Sequence, residues 1–372
     1  MAARMPFYRR RMARCAATLC LTAGLLLAGC SSDSDKKPAD SPFDRGALLT
    51  HVADQFILPG YQALESQATA LQDSITAFLA APTQARLTRI RLQWEVTALA
   101  WQPLGAFDFG PANTTTGTLS ERIATFPVDT LQVEAYISAQ DFSLNNFDRD
   151  TRGLYAIEYL LYRYDAAAYS PGSARGQYLS AVAGQLKSLA TEVRQQWSTS
   201  YRNTFVTNTG TDAGSSISLL FNQMVFHFEQ LKNFKLGLPL GLRASQTSEE
   251  PTRVEAFFSG KGLELAKAHF AAIDRLWRGR SATGAEGPGF EEYVLATDGG
   301  GQLAAATLAQ LAAVQQELDP IPADLPLAQQ IIDQNPQLDQ AYEELQRLTR
   351  YLKSDLSSLL GISITFASGD GD

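Results

Sequence analysis

The chain has 372 residues, 45% hydrophobic and 19% charged, with a formal net charge of −8. That length accommodates roughly two domains, and the acidic balance argues against nucleic acid or anionic lipid head groups as partners. All three cysteines, Cys15, Cys20 and Cys30, lie within the first thirty residues; the rest of the chain has no disulfide and no thiolate zinc site, so its stability must come from packing.

The N-terminus is basic, with Arg4, Arg9, Arg10, Arg11 and Arg14, and an apolar run follows from about Cys15 to Ala28. The run ends in Leu27-Ala28-Gly29-Cys30, which has the form of a lipobox. A basic start, a short apolar middle and small residues before a cut make an export signal. The run is too short to span a bilayer comfortably, which takes about 20 residues. Residues 1–29 are therefore expected to be a lipoprotein signal peptide, with Cys30 carrying the lipid. An uncleaved anchor is the alternative, and Met12 would serve equally as the start. Removing the five arginines leaves a net charge of −13. Residues 30–43 are polar and contain proline, as in a flexible tether. Ser31, where an aspartate would favour the inner membrane, favours the outer one. The expected location is the outer membrane, facing the periplasm or the surface, with the membrane a partner through the lipid on Cys30.

Helical periodicity dominates the remainder. Leu87, Ile90, Trp94, Ala98 and Trp101 step by three and four, as do Leu154, Ile157 and Leu161, then Leu220, Met224, His227 and Leu231. Leu263, Ala266, Phe270, Ile273 and Trp277 repeat the pattern, followed by Leu345, Leu348, Leu352, Leu356 and Leu359, with Gly361 placed to stop the helix. Each stripe is the apolar face of an amphipathic helix. Segments 175–201 and 303–318 also read as helices, and alternating strand patterns are scarce. Segments 105–118, 140–150, 203–216, 243–251 and 280–289 read as loops. The fold class is all-α, with two helical-bundle halves, 44–205 and 206–372, divided near the loop at 203–216.

Several stretches, in order, resemble the imelysin family, also called M75 peptidase-like. They are FILPGYQAL at 56–64, RLQWEVTALAWQPLGAFDFGPA at 91–112, FPVDTLQVEAYI at 126–137 and GLYAIEYLLY at 153–162. EQLKNFKLGLPLG at 229–241, VEAFFSGKGL at 254–263 and LGISITFASGDGD at 360–372 continue the match. The resemblance implies an all-helical fold of two bundle-like halves. It also implies an envelope location and an association with iron uptake, in which envelope iron-transport proteins are the partners to look for. Iron or another transition metal is the implied cofactor.

The family motif is Gly-x-His-x-x-Glu. Here it reads Gly153-Leu154-Tyr155-Ala156-Ile157-Glu158, with tyrosine in place of histidine. Positions i and i+3 share a helix face, so a ligand pair there would be Tyr155 and Glu158. A phenol with a pKa near 10 is a poor ligand for divalent ions. Many members also carry an acid where this chain has Gly105. The residues leave two readings open for each position. Glu158 is a metal ligand or acceptor, or a buried glutamate paired with an arginine such as Arg152 or Arg163. Tyr155 is a ligand, or a core residue with a hydrogen-bonded hydroxyl. Trp94, Trp101, Asp129, Lys232 and Ser259 are candidate pocket residues; their plainer readings are core, cap and surface pairing.

Other chemistry is thin. His51 and Asp54 make a weak i,i+3 pair, His227 lies on an apolar stripe, and His269 has no sequence partner. No His-Glu-x-x-His and no Gly-x-Ser-x-Gly appears, and no catalytic residue is assigned. The reading expected from the sequence is a non-enzymatic, imelysin-like lipoprotein serving as an accessory or binding protein in iron or metal acquisition. The alternatives are a metallopeptidase and an interaction lipoprotein without a small ligand.

Overall fold

The computed structural model describes residues 43–366. The expected signal peptide, the lipid site at Cys30 and the tether up to residue 42 lie outside the described residues. No helix among the described residues is long and apolar enough to cross a membrane.

α1 (Arg45–Val52) starts where the Asp44 carboxylate accepts the Ala47 N–H at 2.9 Å. It runs through a π-helical turn at Ala53–Ile57 into α2 (Leu58–Ala80). Tyr61, Leu64, Ala68, Leu71, Ile75 and Phe78 form one buried stripe of α2, the 3.6-residue period of a core-facing helix. α3 (Gln84–Trp101) is capped by the Thr83 hydroxyl and buries Leu87, Ile90, Trp94, Ala98 and Trp101, the stripe read from the sequence. Where a loop was expected from Gly105, α3 tightens into a 3-10 turn at Gln102–Phe107, with a short hairpin pairing Asn113–Thr114 with Gly117–Thr118 beyond it.

α4 (Leu119–Ile123) and α5 (Thr130–Ala139) lead to α6 (Gly153–Arg163), every residue of which from Gly153 to Leu161 is buried. α6 packs on α3 and on α7 (Ala174–Gln196), and α2 lies along both α3 and α7. The Trp94 indole Nε1 donates to the Leu154 carbonyl at 2.7 Å, which ties the first turn of α6 to α3. Past α7 the helix continues through a π-helical turn at Trp197–Tyr201 into α8 (Arg202–Thr207), beyond the expected break at 203. Phe205 explains the extension: it is buried against Phe109 and Trp197, with ring centroids 5.7 and 5.4 Å away.

α9 (Ser216–Glu229), capped by Ser215, passes into a longer π-helical turn at Gln230–Gly237. α10 (Gly262–Trp277), α11 (Phe290–Leu295), α12 (Gly300–Leu318), α13 (Leu327–Ile332) and α14 (Pro336–Thr349) follow. α14 packs on α12 and leads through a π-helical turn at Arg350–Asp355 into α15 (Leu356–Leu360). Its buried stripe ends on Leu360, with Leu359 only half-buried, because the wider π-helical turn carries the apolar step to four residues. Gly361 closes the helix at φ 64°, the left-handed conformation of a C-terminal cap. A continuous apolar core runs through the helices on both sides of residue 205.

Candidate functional site

The motif helix α6 begins where only glycine fits. Gly153 has φ +75°, and a Cβ there would lie 2.3 Å from the Ile123 carbonyl oxygen. One turn of α6 then presents Tyr155 and Glu158 on one face, as the i,i+3 spacing requires. Both meet the loop between Arg253 and α10. The Tyr155 hydroxyl donates to Glu255 Oε1, and the Ser259 amide donates to Glu158 Oε1 at 2.6 Å. Local hydrogen bonds hold this loop tightly. Ala256 sits at φ 54°, the Gly260 amide closes on the Ala256 carbonyl at 3.1 Å, and the Ser259 hydroxyl donates to the same carbonyl at 3.2 Å.

Glu255 is the hub. Its Oε2 forms an ion pair with Lys235 Nζ at 2.8 Å, and Gln102 Nε2 approaches its Oε1 at 3.5 Å. Lys235 Nζ also donates to Gln102 Oε1 at 2.5 Å, and Gln102 Nε2 donates to the Ala98 carbonyl at 3.2 Å. Four buried side chains from α6, the 3-10 turn after α3, the π-helical turn after α9 and the Glu255 loop thus close one polar network. Insertions of the π type recur at functional sites in helices, and here one carries Lys235.

A cavity of about 380 Å³ opens beside the network. Gln102, Lys235, Glu255, His227 and His269 supply its polar wall, and Trp101, Phe126, Phe226 and Phe234 supply its aromatic one. That volume lies at the small end of the range for ligand sites, about 300–1,000 Å³. His227 and His269 stack face to face at 3.5 Å. His269 Nε2 lies 2.9 Å from the His227 carbonyl; since a carbonyl only accepts, that nitrogen carries the proton of a neutral ring. Burial first, then the Lys235 charge, hold His227 well below the usual histidine range. His269 is lowered likewise by burial, His227 and Lys235. His227 also explains Gly105: a Cβ there would lie 2.5 Å from His227 Nδ1, so no side chain fits.

Burial pushes the Glu158 carboxyl up to about 7, opposed by the Ser259 amide and reinforced by the Glu255 charge. Burial and the neighbouring Glu255 hold the Tyr155 phenol well above its ordinary value. Burial also lowers the Lys235 ammonium, with the Glu255 carboxylate opposing.

As placed, Tyr155 and Glu158 do not form a donor set for one cation. The phenol keeps its proton on Glu255, and Glu158 takes the Ser259 amide. Among the described residues no cluster of three His, Cys, Asp or Glu side chains can hold a metal. An implied iron or other transition metal therefore does not fit the motif pair. His51 and Asp54 do not converge either, since His51 Nε2 lies 2.8 Å from the Gly279 carbonyl and Asp54 pairs with Arg202 at 2.6 Å. Arg152 donates to the Leu144 and Asn146 carbonyls, each at 2.6 Å, rather than to Glu158.

Of the five candidate pocket residues, Trp101 lines the cavity and Ser259 holds Glu158. Trp94 is core and ties α3 to α6. Asp129 caps α5, accepting the Gln132 amide at 2.9 Å. Lys232 is buried against Glu229 at 3.3 Å and Thr349 Oγ1 at 3.0 Å, joining its π-helical turn to α14. Gln102, Lys235 and Glu255 were not singled out by their sequence, although all three lie in the family-like stretches. The available signal was a lysine inside the apolar run FKLGLPL and an acid inside VEAFF, charges that need a buried partner.

The family model for imelysin (peptidase M75) matches residues 57–356, and the chain belongs to the imelysin family. It is 25% identical over 253 residues to iron-regulated protein A of Synechococcus elongatus, covering 64% of this chain and 67% of that protein. Among solved structures, the fold is shared with a putative iron-regulated protein A precursor from Parabacteroides distasonis, at TM-score 0.71 and 18% identity over 87% of this chain and 97% of that one. An imelysin-like protein from Psychrobacter arcticum gives TM-score 0.70 and 22% identity over the same shares.

Proposed function

We propose that this protein is a non-enzymatic binding component of envelope iron acquisition, tethered by a lipid on Cys30, that captures its ligand in the cavity walled by Trp101, His227, Lys235 and Glu255. The observation that carries the reading is that cavity. It joins an aromatic wall to a buried polar network, a surface suited to holding a small molecule in one orientation. The similarity to iron-regulated protein A supports the link to iron. The non-enzymatic part rests on the chemistry of the network: the phenol holds its proton on Glu255, the lysine is ion-paired, and the histidines are buried and stacked on each other. Glu158 accepts the Ser259 amide, and the Ser259 hydroxyl beside it donates to the Ala256 carbonyl at 3.2 Å, which makes the serine a structural donor.

The test is uptake of radioactive iron by cells that lack the gene and are complemented with either the native chain or Ala124→Trp, which fills the cavity. Uptake under iron limitation is expected to fall in the deletion and to return with the native chain alone. Unchanged uptake in the deletion removes the iron role. Full rescue by a folded Ala124→Trp removes the cavity from it.

A further inference from the structure

We propose that Lys235 is the resident cation of this site: its ammonium neutralises Glu255 permanently, so the cavity takes an organic or already complexed ligand and not a bare divalent metal ion.

Every group that reaches the Glu255 carboxylate is a donor. Tyr155 brings an O–H and Gln102 an N–H to Oε1, and Lys235 brings an ammonium to Oε2 at 2.8 Å. A carboxylate so placed already has a positive charge beside Oε2 and donors on Oε1, which a metal would have to displace. A buried carboxylate must be paired, because an uncompensated charge away from water is strongly unfavourable. A metal ion can serve that purpose, and a tethered ammonium serves it equally. The two exclude each other, since like charges a few ångströms apart in a low-dielectric interior repel strongly. The Gln102 carboxamide is oriented for the ammonium as well, with its oxygen on Lys235 Nζ at 2.5 Å.

The surroundings agree with this arrangement. Phenol rather than imidazole at position 155 supplies a proton to Glu255 where a metal site would need a lone pair. At Gly105, where an acid would add another anionic ligand, the His227 ring leaves no room for a Cβ. Lys235 itself is delivered by the π-helical turn Gln230–Gly237. Tyr155, Gly105 and Lys235 are then parts of one site arranged around an internal positive charge. The inference rests on the proposed function only for where the site lies, and its test reads metal binding rather than iron uptake, so either can fail alone.

The experiment is calorimetric titration with zinc and ferrous ions, with metal content after dialysis, on the native protein, Tyr155→His, Lys235→Met and Lys235→Met/Tyr155→His. The native protein and Tyr155→His are expected to take up no stoichiometric metal, because the ammonium remains. The double variant is expected to take up one equivalent, at least tenfold tighter than Tyr155→His, and to lose it when Glu255→Gln is added. A Tyr155→His protein that binds as tightly as the double variant overturns the proposal. So does a folded double variant that gains nothing. Should the Lys235→Met variants fail to fold, the native protein decides: one equivalent of metal that Glu255→Gln abolishes overturns the proposal, and no such metal supports it.

Discussion

Replacing Glu158 by glutamine should change how stability depends on pH. In the folded protein burial raises this carboxyl from 4.5 to about 7. Because the folded pKa lies above the unfolded one, the folded state holds its proton more tightly. The associated stability is complete below pH 4.5 and is lost as pH rises through about 7. At about 1.4 kcal/mol per tenfold difference in proton affinity, the loss amounts to about 3 kcal/mol. Glutamine cannot ionise, and its carbonyl can still accept the Ser259 amide. The assay is urea unfolding of the native protein and Glu158→Gln across pH 4 to 8. The stability of the variant minus that of the native protein should rise by about 3 kcal/mol between pH 4.5 and 7 and level off above. Any fixed cost of the substitution shifts the whole curve and leaves its rise intact. A flat difference would refute the argument, showing that the Ser259 amide and water keep Glu158 ionised despite its burial.

The histidine pair should act in the opposite direction. With both folded pKa values held below that of free histidine, near 6.5, stability is complete above pH 6.5 and falls as pH drops, by up to about 1.4 kcal/mol per pH unit for each ring; His269→Gln, followed in the same titration, should flatten that acid limb. Gly105→Ala should lower stability by about 1–3 kcal/mol in urea unfolding, the usual range for overpacking, because its Cβ meets the His227 ring; an effect within about 0.5 kcal/mol would mean the ring moves freely aside. Trp94→Phe should cost about 1–3 kcal/mol by removing the indole hydrogen bond to the Leu154 carbonyl and part of a buried ring, and an unchanged melting midpoint would count against that hydrogen bond. Cys30→Ala should move the protein from the membrane fraction to the soluble periplasmic fraction on cell fractionation; retention in the membrane would point to an uncleaved anchor.

Much of the fold was legible in the sequence because burial on a helix leaves a periodic trace. The stripes at Leu87–Trp101 and Leu263–Trp277 are buried as read, and the Gly361 stop is a left-handed cap. Departures came where neighbours far along the chain override local signals. The segment from 203 was expected to be a loop, yet Phe205 packs on Phe109 and Trp197 and the helix runs to Thr207. At the π-helical turns, one residue more per turn shifts the apolar face in a way that no 3.6-residue count anticipates.

The candidate site was legible only in part, and the division has a physical cause. The all-helical body, the family resemblance and the motif helix could be read from the sequence, because each depends on residues close together in the chain. The sequence also set Tyr155 and Glu158 on one face of α6, since helix geometry alone decides that. What those side chains meet depends on how distant helices and loops pack against α6. Glu255 lies 100 residues beyond Tyr155, Lys235 and Gln102 are 133 residues apart, and His227 fills the space beside Gly105. Contacts of that range carry no local periodicity. They form because a buried carboxylate must find donors, and which donors it finds depends on how the helices pack.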